Sequence, residues 1–166
     1  MARKTPSFIG LKPASEESSR AKRSNRRSDT QHELILRREL WRMGLRFRKN
    51  VKILPGKPDI VLSVARVVVF CDGDFWHGRD WKILKSKLDR GTNANYWSAK
   101  IASNIKRDRR NTILLEKAGW QVIRLWETDI KRNPLATARL IKNVVDTRRA
   151  KLSKKIRAKS RGHIQR

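Results

Sequence analysis

Apolar and polar positions alternate regularly through the middle of the chain and lose all pattern toward both ends. Thr30-Gln31-His32-Glu33 is a capping-box signature, a hydroxyl cap followed three residues on by a carboxylate. It predicts a helix carrying Leu34, Leu36, Leu40, Trp41 and Met43, with Gly44 as its stop. Leu45 to Asn50 alternates as a strand, with Phe47 inward between Arg46 and Arg48. Asp59 to Leu62 reads as a short strand after a Pro-Gly turn, and Val67 to Cys71, β-branched and apolar on both faces, as a central covered strand. A long helix is predicted from about Tyr96 to Lys117 and a strand from Gln121 to Trp126. Asn133-Pro134 opens a last helix with Leu135, Leu140, Ile141 and Val144 inside.

The ends read differently. Residues 1–28 mix Pro, Ser, Arg and Lys without periodicity. Such a segment cannot bury enough apolar area to offset its ordering entropy, so a mobile basic arm is expected. Residues 150–166 are expected to form a basic tail, leaving 29–149 as one folded domain. No internal repeat is present. No apolar run is long enough to span a bilayer, and the N-terminus lacks the apolar core of a secretory signal.

Charge then narrows the partner. Lys and Arg number 42 against 15 Asp and Glu, a formal net charge of +27 that repels itself and calls for a polyanion. Charge alone does not separate a DNA enzyme from an RNA-binding module. Cys71 is the single cysteine, which excludes an internal disulfide and a multi-cysteine zinc cage and fits a reducing cytoplasm.

Four polar side chains break the apolar pattern in ways that suggest chemistry. Asp59 opens one strand and Asp72 ends the next, so the two could share one ion. Phosphodiester hydrolysis needs a deprotonated water and stabilised phosphoryl charge, which one or two carboxylate-held Mg²⁺ ions supply. His77 follows the acidic cluster in Phe75-Trp76-His77-Gly78, where an imidazole can act as general base. Asp108 falls on the helical stripe of Ile101, Ile105, Thr112 and Leu115, and a carboxylate on a core-facing stripe needs a histidine, an arginine or a metal as partner. Of the six tryptophans, Trp41, Trp120 and Trp126 sit inside predicted elements and read as packing. Phe75 and Trp76 read as groups that stack on bases or wedge between them, and Trp97 is intermediate.

The residues together resemble the very short patch repair (Vsr) endonucleases. The motifs occur in order: Glu33 within E-L-I-L-R-R-E-L, then L-P-G-K-P-D-I-V-L, F-C-D-G-D-F-W-H-G, N-Y-W-S-A-K-I, N-I-K-R-D-R-R-N and G-W-Q-V-I-R-L-W-E, covering roughly Ser24 to Ile130. The resemblance implies an α/β fold like that of restriction endonucleases, a central mixed β-sheet flanked by α-helices, with a divergent PD-(D/E)xK site. It implies Mg²⁺-dependent nicking of one strand of double-stranded DNA beside a T·G mismatch. By position it implies Asp59 as the central metal ligand, Cys71 as the donor of a main-chain carbonyl, and His77 as the histidine that activates water. It implies Asp108 as support for that histidine, Glu33 as a carboxylate holding a metal-bound water, and Phe75, Trp76 and Trp97 as the wedge. Asp72 replaces the residue usual at its position and is a further candidate metal ligand. Lys57, Lys100 and Arg107 are the expected phosphate contacts. The family's structural zinc has its ligand positions at Asp74, Arg79, Trp81 and Thr128 here, none a thiol or an imidazole, so no zinc is expected and Trp81 packing is expected in its place. These readings describe a monomeric prokaryotic enzyme of the cytoplasm and nucleoid, with repair or defence proteins as partners and no membrane. Two alternatives stand beside the repair enzyme: the same chemistry serving restriction or phage defence, and a catalytically silent DNA-binding module on the same scaffold.

Overall fold

The computed structural model describes residues 28–163. The basic arm expected over residues 1–28 therefore lies outside the described residues except for Ser28.

Helix α1 (Gln31–Arg42) begins where its capping box places it: Thr30 is the cap, and its backbone N–H and hydroxyl both donate to Glu33 Oε1, at 3.4 and 2.8 Å. Its inward stripe is His32, Glu33, Leu36, Arg37 and Leu40, polar at the start and apolar after. That stripe turns Leu34 and Trp41, seven residues apart on the outer side, into solvent. Trp41, expected in the core, instead lies under the Arg46 guanidinium, 3.7 Å from its ring centre.

Strand β1 spans only Arg48–Lys49, shorter than the alternation suggested, although Leu45 is buried and Phe47 packs inward as expected. It pairs antiparallel with β2 (Ile60–Leu62), and β2 pairs antiparallel with β3 (Val67–Asp72) in the register Ile60↔Val69, Val61↔Val68, Leu62↔Val67. A single 3₁₀ turn (Ser63–Ala65) links them. β4 (Gln121–Trp126) joins β3 in parallel, from Val67↔Gln121 to Asp72↔Trp126. The sheet order is β1-β2-β3-β4, a mixed sheet between helices, as the restriction-endonuclease-like reading requires.

Every residue of β3 is buried, because both of its faces are covered. Alternation sends Val67, Val69 and Cys71 to the larger cluster, with Leu36, Leu40 and Ile141 from the helices. Val68 and Phe70 go to a smaller cluster with Leu115 of the long helix α3 (Ala94–Lys117). Between β3 and α3 lies α2 (Trp81–Leu88), which the pattern did not announce because it buries no residue. After β4 come α4 (Glu127–Arg132) and α5 (Pro134–His163). On α5 the buried stripe is Ala138, Ile141 and Val145 with Val144 beside it, so Leu135 and Leu140, expected inside, face out. The helix also runs on through residues 150–163, where a basic tail was expected. Trp120 is half-buried against the smaller cluster and Trp126 half-buried at the end of β4. The consequence for function is local: the parallel strands β3 and β4 end side by side at Asp72 and Trp126, under the flank of α3.

Candidate active site

The loop after β3 is folded tightly onto α3. His77 N–H donates to Gly73 O at 3.1 Å and Arg79 N–H to Asp74 O at 2.9 Å. Gly78 adopts φ +71°, and a Cβ there would sit 2.6 Å from Ile105 Cδ1. Only glycine allows both that backbone and that approach. Gly78→Ala is therefore expected to cost about 1–3 kcal/mol and to displace the adjacent histidine; a thermal melt and a cleavage assay on the same sample check it.

The loop delivers His77 to Asp108. The ring Nδ1 lies 2.6 Å from Asp108 Oδ2 and 3.4 Å from Asp72 Oδ1. Both neighbours of Nδ1 are carboxylate oxygens, so Nδ1 carries the proton and donates, which leaves the Nε2 lone pair free. Burial raises the Asp108 pKa, but the hydrogen bond from His77, the pull of that ring when it is protonated, and the charges of Arg124 and Arg107 outweigh it and hold this carboxyl below its usual range. Asp108 is thus an anion at neutral pH.

Arg124 of β4 completes this cluster, and sequence reasoning did not find it. Its Nε and Nη2 each donate to Asp72 at 2.7 Å, one to each oxygen, and Nη2 lies 3.5 Å from Asp108 Oδ2. The guanidinium stands 4.6 Å from the Phe70 ring centre. The one available signal was an arginine inside the otherwise apolar run Val122-Ile123-Arg124-Leu125-Trp126.

Asp59 occupies the adjoining corner, immediately before β2. Its Oδ2 accepts the Cys71 N–H at 2.7 Å. Burial pushes its pKa up to about 6; the Cys71 N–H and Arg37 pull it down, and the Glu33 and Asp72 charges push it further up. Glu33, buried at the start of α1, accepts hydrogen bonds from Asp29 N–H at 3.1 Å and from Arg37 Nη2 at 2.6 Å. Arg37 also donates to the Asp59 carbonyl at 3.3 Å. His32, a second residue missed from sequence, is buried with Nε2 3.1 Å from Thr30 Oγ1 and 3.4 Å from the Cys71 carbonyl. The Cys71 side chain packs into the larger cluster, and burial pushes its thiol pKa well up. The Cys71 main chain reaches this corner through its N–H to Asp59 and its carbonyl toward His32.

These groups suit a hard cation. The Asp59 carboxylate and the Cys71 carbonyl are oxygen donors, and burial disfavours the Asp59 anion where it stands. Among the described residues no three His, Cys, Asp or Glu side chains come together as a metal cage.

Aromatic side chains form a wall beside the cluster. Phe75 meets Trp76 edge-on at 5.2 Å and Trp97 at 5.5 Å, and Trp76 and Trp97 lie 5.9 Å apart. Phe75 is exposed. Asn104 Nδ2 donates to the Trp76 carbonyl at 2.9 Å, and Arg107 Nη1 to Asn104 Oδ1 at 3.1 Å. Trp97, Lys100, Asn104 and Arg107 recur at three- and four-residue steps along α3 and so share a side of it. Lys57 is exposed on the turn that leads to Asp59. Of the four positions that resemble zinc-ligand positions, Asp74 contacts Arg79 at 3.4 Å and accepts the Thr128 hydroxyl. Arg79 reaches on to Asp129 at 2.9 Å. Trp81, expected to pack there, is half-buried at the start of α2.

Comparison with known proteins places this geometry in context. A family model described as DNA mismatch endonuclease Vsr matches residues 13–83. The type II nicking enzyme V.NmeDIP of Neisseria meningitidis serogroup C is 39% identical over 130 residues, which are 78% of this chain and 86% of that protein. The type II nicking enzyme V.NaeI of Lentzea aerocolonigenes is 39% identical over 138 residues, 78% of this chain and 75% of that protein. The DNA mismatch endonuclease Vsr of Escherichia coli (strain K12) is 37% identical over 103 residues, 62% of this chain and 64% of that protein.

Proposed function

This chain belongs to the Vsr family and is a DNA endonuclease, and on that premise we propose that it uses Mg²⁺ to nick one strand of duplex DNA at a T·G mismatch. The observation that carries the proposal is the 2.6 Å pairing of His77 Nδ1 with Asp108, beside the half-buried Asp59.

The Asp59 carboxylate and the Cys71 carbonyl would hold the ion, with Glu33 a second carboxylate next to Asp59. Bound Mg²⁺ would stabilise charge on the phosphoryl oxygens and lower the pKa of a bound water. His77 Nε2 accepts a proton from the attacking water as its oxygen bonds to phosphorus and the bridging P–O bond breaks. Asp108 keeps the ring in the required tautomer and stabilises the imidazolium that forms. Lys57, Lys100 and Arg107 contact phosphates. Phe75, Trp76 and Trp97 open the stack at the cleavage point.

The partner is double-stranded DNA, reached by one polypeptide, because copies carrying +27 repel each other. A place in the prokaryotic cytoplasm, at the nucleoid and among repair or defence proteins, goes with that substrate. No helix among the described residues is long and apolar enough to cross a membrane. Trp76→Ala is expected to lower cleavage of mismatched DNA roughly 10- to 100-fold, since one stacked aromatic contributes ~1–3 kcal/mol. Gel-shift and nicking assays on one duplex check it.

The deciding experiment incubates the protein with matched, T·G-mismatched and base-modified duplexes, with Mg²⁺ or with chelator, and maps the cuts. Cleavage of one strand at T·G, in Mg²⁺ only, is the expected result. The relatives named type II nicking enzymes favour single-strand cleavage as such. Cuts on paired or modified DNA but not at T·G would assign the same chemistry to restriction or defence. Tight binding with no cut on any duplex would leave a silent DNA-binding module.

A further inference from the structure

We infer that Arg124 is a positioning residue for hydrolysis, clamping Asp72 and Asp108 around the Nδ1 side of His77, and that Asp72 is a carboxylate held in this clamp and not a metal ligand. The inference rests on the reading of His77 as the base.

Asp72 is 4% exposed, and a carboxylate so buried needs a partner for each oxygen. Arg124 supplies both, at 2.7 and 2.7 Å, in the planar two-pronged geometry that a guanidinium alone offers. An ion bound to Asp72 would have to share an oxygen that this cation already engages. The same Nη2 lies 3.5 Å from Asp108 Oδ2, the oxygen that meets His77 Nδ1 at 2.6 Å. Asp72 Oδ1 is itself 3.4 Å from Nδ1. Two carboxylates thus face one N–H, and only one can orient it productively. Arg124 holds Asp72 back, leaves the proton to Asp108 and neutralises part of the repulsion between the acids. Its contact with the Phe70 ring keeps the fork from turning away. Strands β3 and β4 and helix α3 are tied together at this one guanidinium.

The test measures single-turnover cleavage, duplex affinity, melting temperature and Mn²⁺ binding by electron paramagnetic resonance for each variant, with wild type, Asp59→Asn and His77→Ala as controls. Arg124→Met should lose on the order of 10²-fold in rate, the cost of a misplaced catalytic group, with duplex affinity nearly unchanged. Arg124→Lys, which keeps the charge but not the fork, should lose about tenfold. The double variant Asp72→Asn/Arg124→Met should recover to within about tenfold of wild type, because the acid that Arg124 restrains is gone too. Asp72→Asn should still bind Mn²⁺, and Asp59→Asn should not. The inference is overturned if Arg124→Met cleaves at the wild-type rate, if its defect lies in duplex affinity, if the double variant is as slow as Arg124→Met, or if Asp72→Asn loses Mn²⁺. If Arg124→Met does not fold, the Arg124→Lys rate and the double variant decide the question alone. Full activity in His77→Ala would instead sink the underlying assignment of the base, a different failure from any of these.

Discussion

Replacing Asp59 by Asn should abolish cleavage, by on the order of 10³-fold or more, and at the same time raise the melting temperature of the metal-free protein at pH 8. The two effects have one cause. The Asp59 pKa in the folded chain is about 6, above its ordinary 3.8, because burial and the Glu33 and Asp72 charges outweigh the Cys71 N–H and Arg37. The folded state therefore holds this proton more tightly than the unfolded state does. The resulting stability is fully present below pH 3.8 and is lost as pH rises through 6. At pH 8 the ionised carboxylate costs at most about 3 kcal/mol, from the rise from 3.8 to about 6 at ~1.36 kcal/mol per pH unit. Asparagine keeps an oxygen to accept the Cys71 N–H and carries no charge. The variant's advantage should amount to several degrees at pH 8 and vanish by about pH 4. Added Mg²⁺ should stabilise wild type alone and narrow the gap. Melts at both pH values, with chelator and with Mg²⁺, check each part.

His77→Ala should lose on the order of 10³-fold in cleavage while still binding duplex, because it removes the proposed proton acceptor and leaves the basic surface in place. Asp108→Asn should lose nearly as much. Its amide can donate to Nδ1 and so favours the tautomer whose Nε2 already carries a proton. The double variant should be no slower than His77→Ala alone, since Asp108 acts through the ring it holds. A double loss equal to the product of the single losses would show the two residues working independently. Single-turnover rates for the three variants on one nicking substrate separate these cases.

What the sequence revealed of this site depended on pattern that survives without tertiary information. Asp108 stands out because an acid on an apolar helical stripe is anomalous in one dimension already, and the fold supplies the histidine it needed. Asp59 stands out in the same way, at the mouth of a strand whose own pattern is regular. Arg124 meets Asp72 across 52 positions and His32 meets the Cys71 carbonyl across 39, so both contacts exist only through the β3–β4 register and the docking of α1. No local periodicity encodes them. Leu135 and Leu140, expected inside, face out for a simpler reason. They lie beside a stripe whose inward direction is fixed by its partners, Ala138, Ile141 and Val145 in α5. The length of α5 is legible in composition. From Ala150 to Arg161 there is neither Pro nor Gly, and Ala, Lys, Arg and Leu are good helix formers whether or not a core covers them. Helix α2 also has neither Pro nor Gly from Trp81 to Leu88, but it is only eight residues long and buries none of them, so no core-facing stripe announced it.

The most direct test of the whole site is cleavage of a T·G duplex by wild type, Asp59→Asn and His77→Ala across a Mg²⁺ titration, with binding of the same duplex followed in parallel. Wild type should cut one strand only when Mg²⁺ is present, and both variants should bind the duplex and leave it whole. Cutting by either variant at the wild-type rate would contradict a catalytic site built on these two side chains.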